Sequence, residues 1–197
     1  MTPKIAELKL IEKLFKGSTR EIIICSPWIS IEGVSILRSC LGRIRADTVE
    51  VLRVWCRISL EDHLQGRTDY SGLLRMLWAF KGQHRGVRLD LATAENLHAK
   101  VYCVDGKSIL GSANLTKGGF CGGNLEIIAL GSASETARVK QELKELEKRL
   151  QPMTLSRFKK FCRQVERIPV QKFQAEYAGL VNKYKPAKMP HYEMRFR

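Results

Sequence analysis

The length, composition and charge of the chain describe an ordinary globular protein with a basic surface. It has 197 residues, 44% of them hydrophobic, and 34 Lys and Arg against 20 Asp and Glu give a formal net charge of +14. One domain of this length buries most of its core, which excludes a large multidomain assembly within the chain. The sequence has no run of about 18 apolar residues and no signal-like N-terminus, so we expect a soluble, cytoplasmic protein without a membrane span.

The first half of the chain alternates predicted helices with predicted strands. Helical spacing covers residues 5–15, 32–44 and 69–83, whereas apolar runs predict strands over 21–29, 49–57 and 86–93, with a polar loop from about 58 to 68. Nearly continuous apolar strands between helices are typical of parallel β-α-β units whose sheet is covered on both faces.

After residue 93 the pattern changes. A hairpin that turns at Gly106 and Lys107 is followed by a strand over 124–132 and a charged helix over 133–150. We therefore predict an α/β fold with a mixed, mostly parallel β-sheet flanked by helices on both faces.

The C-terminal segment 151–197 is strongly basic, with 11 Lys and Arg against 3 Asp and Glu. Helical spacing predicts helices over 154–168 and 169–184, followed by a loose end. We expect a main domain at 1–150 and a basic helical extension at 151–197. Such a charge distribution favours a polyanionic partner, either a nucleic acid or an anionic lipid.

The cysteines are scattered, without a C-x-x-C pair or a histidine at the spacing of zinc sites. This pattern predicts buried structural thiols in a reducing compartment, and no metal site. The six residues are Cys25, Cys40, Cys56, Cys103, Cys121 and Cys162.

Polar side chains gather at one end of three predicted neighbouring strands. His98 and Lys100 are two residues apart on a strand, so both project from one face near its start. The next strand is followed by Ser112 and Asn114, and the one after begins with Asn124 and Glu126. These residues offer a nucleophile or base, a fixed cation, hydrogen-bonding groups and a carboxylate, which displacement at a phosphate requires.

Asp105 lies seven residues beyond His98, roughly 23 Å along an extended strand. It cannot easily reach the imidazole. Its spacing predicts a structural role at the hairpin, where it would accept hydrogen bonds from turn amides.

The pattern H-x-K-x-x-x-x-D followed by G-S-x-N resembles the motif of the phospholipase D superfamily. The similarity extends over most of residues 18–132, including the segments SPWIS, TDYSGLL and GVRLD with LHAKVY after it. It implies a phosphodiesterase that needs no metal and no other cofactor. The motif residues are His98, Lys100, Asp105, Gly111, Ser112 and Asn114.

The resemblance also implies a role for most of these residues. His98 would attack the phosphorus to form a phosphohistidine, and Glu126 would hydrogen-bond His98. Lys100 and Asn114 would hold the phosphoryl oxygens, with Ser112 as a further phosphate contact. Asp105 counts among the catalytic residues of the motif, although its spacing favours the structural role.

The sequence departs from the family pattern in two ways. The spacer before Gly111 holds five residues where the commoner pattern has six, and the chain has one motif although the chemistry uses two histidines. No other histidine has a Lys two residues later: His63, His84 and His191. As in the single-motif nuclease branch, the resemblance implies a site shared by a homodimer, with His98 from each subunit.

For two further sets of residues, a role in the fold is the main interpretation. Arg53, Arg57 and Arg67 flank a loop that can reach a substrate backbone, although a role in the fold is expected more often. The tryptophans lie in apolar runs, which predicts core packing rather than base stacking. They are Trp28, Trp55 and Trp78.

The charge and length favour nucleic acid over phospholipid as the source of the phosphodiester. A pI near 9.7 and the basic C-terminal segment suit a phosphate backbone. We therefore predict an endonuclease that cleaves DNA or RNA, with DNA favoured over RNA. Two alternatives stay open: a lipid phosphodiesterase of the phospholipase D type, and a non-catalytic nucleic-acid-binding module.

Overall fold

The computed structural model describes residues 2–15, 19–45, 48–122 and 124–168. These residues form one sheet of eight strands in the order β1-β7-β6-β5-β2-β3-β4-β8. The strands are β1 (Thr2–Ile5), β2 (Glu21–Cys25), β3 (Val51–Trp55), β4 (Arg88–Thr93), β5 (Val101–Val104), β6 (Lys107–Gly111), β7 (Ile127–Gly131) and β8 (Gln151–Met153).

The α/β class and the mixed sheet are confirmed, but the mostly parallel sheet is wrong. Within the described residues, β2 pairs with β3 and β3 with β4 in parallel, and the other neighbouring strands pair antiparallel. The chain passes from β2 to β3 through the helix at Ile31–Leu41, and from β3 to β4 through the helices at Leu60–Leu64 and Tyr70–Gln83, as parallel neighbours require. The turn at residues 105–106 joins β5 to β6 and requires antiparallel pairing, whereas longer connections that each contain a helix lead to the antiparallel strands β7 and β8.

Helices cover both faces of the sheet, as predicted. They are α1 (Leu8–Leu14), α2 (Ile31–Leu41), α3 (Leu60–Leu64), α4 (Tyr70–Gln83), α5 (Lys117–Phe120), α6 (Ala133–Glu147) and α7 (Leu155–Val165). One core cluster joins α1, α2, α4 and α7 to the sheet, with Leu37 and Leu73 fully enclosed. The second lies under α6, where Val139 and Leu143 pack with Trp55. Each such buried apolar side chain contributes about 1.5–3 kcal/mol.

Two strands and two helices were not predicted. β1 and β8 extend the two edges of the sheet, α3 occupies the segment predicted as a polar loop, and α5 is a single turn in the glycine-rich segment between β6 and β7. The Ser59 hydroxyl accepts a hydrogen bond from the Asp62 amide at the start of α3, which stabilises this single turn.

The described part of the basic C-terminal segment is joined to the main sheet and core. β8 pairs with β4, and Phe158 of α7 is buried with its ring edge-on to Tyr70 at 6.1 Å. The helix expected over 169–184 and the loose end after it lie outside the described residues. The division at residue 150 stays a prediction.

The described segments contain no helix with the length and apolar content needed to cross a bilayer. All six cysteines are free, and five of them are buried, as their apolar surroundings predict. Cys121 is the exposed one.

Candidate active site

The candidate site lies at the end of the sheet where β2, β3 and β4 finish. Because β5 runs antiparallel to β2, its first residue, Val101, pairs with Cys25, the last residue of β2. Gly111 at the end of β6 pairs with Ile128 near the start of β7. The three polar segments predicted from the sequence, 98–100, 112–114 and 124–126, therefore lie at one end of the sheet. Clefts beyond the carboxyl ends of parallel strands are common ligand sites in α/β folds.

His98 and Lys100 form the centre of this site. They lie just before β5 rather than on a strand, and the side chain of His98 is exposed whereas Lys100 is only 7% exposed. Lys100 Nζ donates to the His98 carbonyl oxygen at 2.7 Å and lies 3.1 Å from His98 Nδ1 and 3.2 Å from Nε2. The ammonium thereby holds both the backbone and the ring of His98.

Burial and a neighbouring carboxylate have opposite effects on the pKa of Lys100. Burial lowers the pKa of Lys100 from its usual value, while the negative charge of Glu126 opposes this shift, with a smaller contribution from Cys25. Glu126 itself accepts a hydrogen bond from Asn124 Nδ2 at 3.4 Å. Within the described residues no hydrogen bond joins Glu126 to His98, so in a single subunit this carboxylate acts on the lysine.

Asn114 follows β6 in a segment that is held tightly by its neighbours. Tyr102 of β5 donates its hydroxyl to the Ala113 carbonyl oxygen at 2.9 Å. A side chain at Gly119 would meet the Asn114 carbonyl oxygen at 2.1 Å, so only glycine allows α5 to approach so closely. Asn114 Oδ1 is buried and has no hydrogen-bond partner among the described residues. Oδ1 is an acceptor, so a contact of Asn114 with a phosphoryl oxygen would have to come from its Nδ2 donor.

The Ser112 hydroxyl is already engaged by the sheet. It accepts from the Ile127 amide at 3.1 Å and lies 3.4 Å from the Ile127 carbonyl oxygen. It therefore joins the end of β6 to the start of β7. Its predicted contact with a phosphate would require it to give up part of this bonding, and stays a prediction.

Asp105 lies at the opposite end of β5 and does not join the other motif residues. Its Oδ1 accepts from the backbone amides of Glu21 at 2.9 Å and Arg20 at 3.1 Å, and its φ is 49°. The catalytic assignment of Asp105 is therefore corrected to a structural one. The spacing argument placed it correctly at the hairpin, but its partners are the first amides of β2 rather than those of the turn.

The loop after β2 forms a further wall of the site. Ser26 Oγ accepts from the Leu115 amide at 2.9 Å, which joins this loop to the segment that follows Asn114. The neighbouring Cys25 thiol points to the Ala99 carbonyl oxygen at 3.7 Å. Burial, with a contribution from Cys103, raises the pKa of Cys25 to about 12, so this thiol stays protonated and is no second nucleophile.

Sequence reasoning missed a cluster of charged and aromatic side chains beside this wall. Trp28, expected in the core, is half-buried at the end of the sheet with Arg57 and Arg67 beside its ring. Of the other tryptophans, Trp55 is in the core as predicted, whereas Trp78 is 46% exposed. Their positions in the chain could have indicated this cluster, because Trp28 and Arg57 lie within three residues of the ends of the parallel strands β2 and β3.

Arg53 is not available for a substrate backbone. Its guanidinium is paired with Glu21 and lies 3.5 Å from Asp90 and 3.8 Å from Glu147. These contacts place it under α6, on the face of the sheet rather than at its end. Among the described residues, no group of three or more His, Cys, Asp or Glu is placed to hold a metal ion.

Comparison with known proteins identifies the fold. No family model and no curated protein sequence matches the chain. Among solved structures, Nuc from Salmonella typhimurium, a phospholipase D family member, superposes with a TM-score of 0.52 at 14% identity over 77% of this chain and 97% of that one. NucT from Helicobacter pylori gives 0.50 at 14% identity over 77% and 98%.

A third similar structure is phosphatidylserine synthase from Haemophilus influenzae Rd KW20. It matches with a TM-score of 0.59 at 17% identity over 92% of this chain, which spans 45% of the synthase. The three matches agree with the resemblance of the motif.

Proposed function

From the phospholipase D fold of this chain, we propose that it is a metal-independent phosphodiesterase, an endonuclease acting on DNA or RNA. The observation that carries the proposal is the pairing of His98 with Lys100 at the end of the sheet. An exposed imidazole beside a buried ammonium supplies a nucleophile and a phosphate-binding cation at one point.

The first chemical step is a displacement at phosphorus. A ring nitrogen of His98 forms a bond to phosphorus while the bond to the leaving oxygen breaks, and that oxygen takes a proton. Lys100 and the Asn114 amide hold the phosphoryl oxygens, where negative charge must be stabilised. Water then attacks the phosphorus and gives its proton to the imidazole that protonated the leaving oxygen, while the phosphorus–nitrogen bond breaks. This releases a phosphomonoester and frees His98.

The proton for the leaving oxygen comes from a second imidazole. The described part of the chain brings one exposed histidine, His98, to the site. We therefore propose that the partner subunit's His98 supplies the proton across a two-fold axis. Since one imidazole must be neutral and the other protonated, the rate should peak under mildly acidic conditions.

Charge supports nucleic acid as the substrate. The net charge of +14 favours a polyanion whose backbone presents many phosphates over a single headgroup. Phosphatidylserine synthase shares the fold, so the test also includes a phosphatidyl diester. Its hydrolysis would contradict the choice of nucleic acid.

The test is cleavage of single- and double-stranded DNA and RNA, and of phosphatidylcholine vesicles, in EDTA at about pH 6. We expect cleavage of nucleic acid by the wild type, with a loss of about 10³-fold or more in His98→Ala and about 10²-fold in Lys100→Ala. Lys107→Ala is the matched control, because Lys107 is an exposed lysine at the other end of the same hairpin.

The outcomes separate the alternatives. Loss of activity in EDTA would contradict the metal-free mechanism. Hydrolysis of vesicles without cleavage of nucleic acid would favour the lipid phosphodiesterase, and salt-sensitive binding without turnover would favour the non-catalytic module.

A further inference from the structure

A second basic feature lies beside the candidate active site, around the indole of Trp28. The guanidinium carbon of Arg67 lies 4.7 Å and that of Arg57 lies 5.5 Å from the centre of the Trp28 ring. Trp28 Nε1 donates to Asp62 Oδ1 at 3.1 Å. Asp62 is fully buried, so this carboxylate fixes the indole and both arginines from below.

The two arginines differ in how much of their hydrogen-bonding capacity Asp62 uses. Arg57 binds both carboxylate oxygens through Nε and Nη2, which closes a bidentate ion pair. Arg67 meets Asp62 only through Nη1 at 3.5 Å, and its side chain is 37% exposed. One carboxylate thus pairs closely with Arg57 and only weakly with Arg67, whose side chain stays partly exposed.

Arg67 lines a cleft of about 290 Å³ whose lining includes a second cation, the exposed Lys117. Residues 65–67 and 116–118 line it together with Trp28, Ser30 and Glu32. Glu32 offsets one positive charge, so Arg67 and Lys117 leave the cleft with a net positive charge. We call it the Trp28 cleft.

The Trp28 cleft is continuous with the active-site segment that contains Asn114. Ile29 and Leu115 form a parallel bridge, and the Ser30 amide donates to the Leu115 carbonyl oxygen at 3.1 Å. The Lys117 amide donates to Ser30 Oγ at 3.3 Å. The loop 26–30 therefore runs beside the segment 113–117, and the lining of the cleft begins at Thr116, two residues beyond Asn114.

We propose that the Trp28 cleft binds the nucleotide next to the one attacked at His98, with its phosphate between Arg67 and Lys117. The inference rests on the proposed nuclease function and gives it a substrate class, a polynucleotide strand. A guanidinium fork and an ammonium suit a phosphate, and the indole offers an apolar face to a sugar or base. A phospholipid diester has no second backbone phosphate for this cleft.

The test compares a single-stranded oligonucleotide with bis(p-nitrophenyl) phosphate, a diester that has no neighbouring nucleotide. We expect Arg67→Ala and Lys117→Ala each to lower kcat/KM for the oligonucleotide about 10-fold, mainly through KM, and to affect the small diester far less. Each should also reduce the slope of log kcat/KM against log salt by about 0.7, as loss of one single-strand phosphate contact requires.

The matched control is Arg20→Ala. Arg20 is exposed at the opposite end of the sheet, and its side chain is near only the exposed Glu50 among the described residues. Removing the same charge there should leave kcat/KM for both substrates unchanged. Equal losses on the two substrates, or no loss on the oligonucleotide, would overturn the inference.

A binding measurement separates this inference from the proposed function. Fluorescence anisotropy of the same oligonucleotide is measured with His98→Ala alone and with His98→Ala combined with Arg67→Ala. The second substitution should weaken binding about 10-fold whether or not the wild type cleaves. Unchanged affinity would refute nucleotide binding by the Trp28 cleft. Weakened affinity without turnover by the wild type would refute only the proposed nuclease activity.

Discussion

Two opposing influences act on the pKa of Lys100, its burial and the negative charge of Glu126. Burial favours the neutral amine, and Glu126 favours the ammonium. Only the ammonium can hold a phosphoryl oxygen as a cation. A diester such as bis(p-nitrophenyl) phosphate has a leaving group that departs without a proton, so its first step does not need the protonated imidazole. For that substrate, the pH at which activity is lost on the alkaline side should therefore depend on Glu126.

We predict that Glu126→Gln moves the alkaline limb of the pH–rate profile to lower pH. Removing the negative charge destabilises the protonated lysine, which lowers its pKa and so loses the cation at a lower pH. The measurement is kcat/KM for bis(p-nitrophenyl) phosphate as a function of pH. Glu126→Asp retains the charge and should keep the limb closer to its wild-type position. A limb that stays in place or moves upward in Glu126→Gln would contradict the role of Glu126.

The motif residues divide between two tasks at opposite ends of one hairpin. His98 and Lys100 precede β5, whereas Asp105 follows it and accepts from the first amides of β2. A carboxylate that binds two backbone amides fixes the register of β2 against β5. Neighbouring letters of a sequence motif therefore need not be neighbours in a site.

At the scale of elements, the position of the Asn114 segment depends on close packing by helix α2. A Cβ placed on Gly33 would lie 1.8 Å from the Leu115 carbonyl oxygen, so α2 and the segment 113–117 would have to separate. Leu115 follows Asn114 directly, and any such shift would reach the site.

We predict that Gly33→Ala destabilises the protein by about 1–3 kcal/mol and lowers activity, because overpacking displaces the segment. Gly82→Ala is the matched control, since Gly82 lies in helix α4 with nothing within 4 Å of an added Cβ. It should stabilise the protein by up to about 1 kcal/mol through helix propensity. Urea unfolding and cleavage assays measure both effects, and equal stability of the two variants would refute the packing argument.

Sequence pattern predicted the elements that bury a whole apolar stripe. The helix at Tyr70–Gln83 and the strand at Glu21–Cys25 follow directly from periodicity. β1 and β8 are three or four residues long and contain a proline, so pairing with a neighbour decides them rather than their own pattern. The direction of pairing after β4 likewise depends on which strand each new strand pairs with, as when β5 pairs with β2, and apolar runs do not encode that choice.

The candidate site was predicted to the same depth. The order of strands and turns predicts that His98, Lys100 and Asn114 lie at one end of the sheet, and they do so in the segments just outside β5 and β6. It does not show that Glu126 balances Lys100, because that depends on how side chains meet across strands. The Trp28 cluster depends on Asp62, which lies 34 residues further along the chain in a helix predicted as loop.

At the scale of the whole molecule, the presence of a single motif bears on the proposed homodimer. A site that uses two imidazoles needs two copies of this chain, and a two-fold axis would bring both copies of His98 to one site. Such a dimer has one shared site, so a single inactive subunit disables it.

We predict that subunit exchange with His98→Ala inactivates wild-type chains. In an equal mixture at random pairing, about a quarter of the dimers contain two wild-type subunits, so activity per wild-type chain should fall to about half. The measurement is oligonucleotide cleavage before and after exchange, with native mass spectrometry to count mixed dimers. Lys107→Ala mixed in the same way is the control and should leave activity per chain unchanged. If mixed dimers form and His98→Ala causes no loss, each subunit carries a complete site, and the shared two-histidine mechanism is wrong.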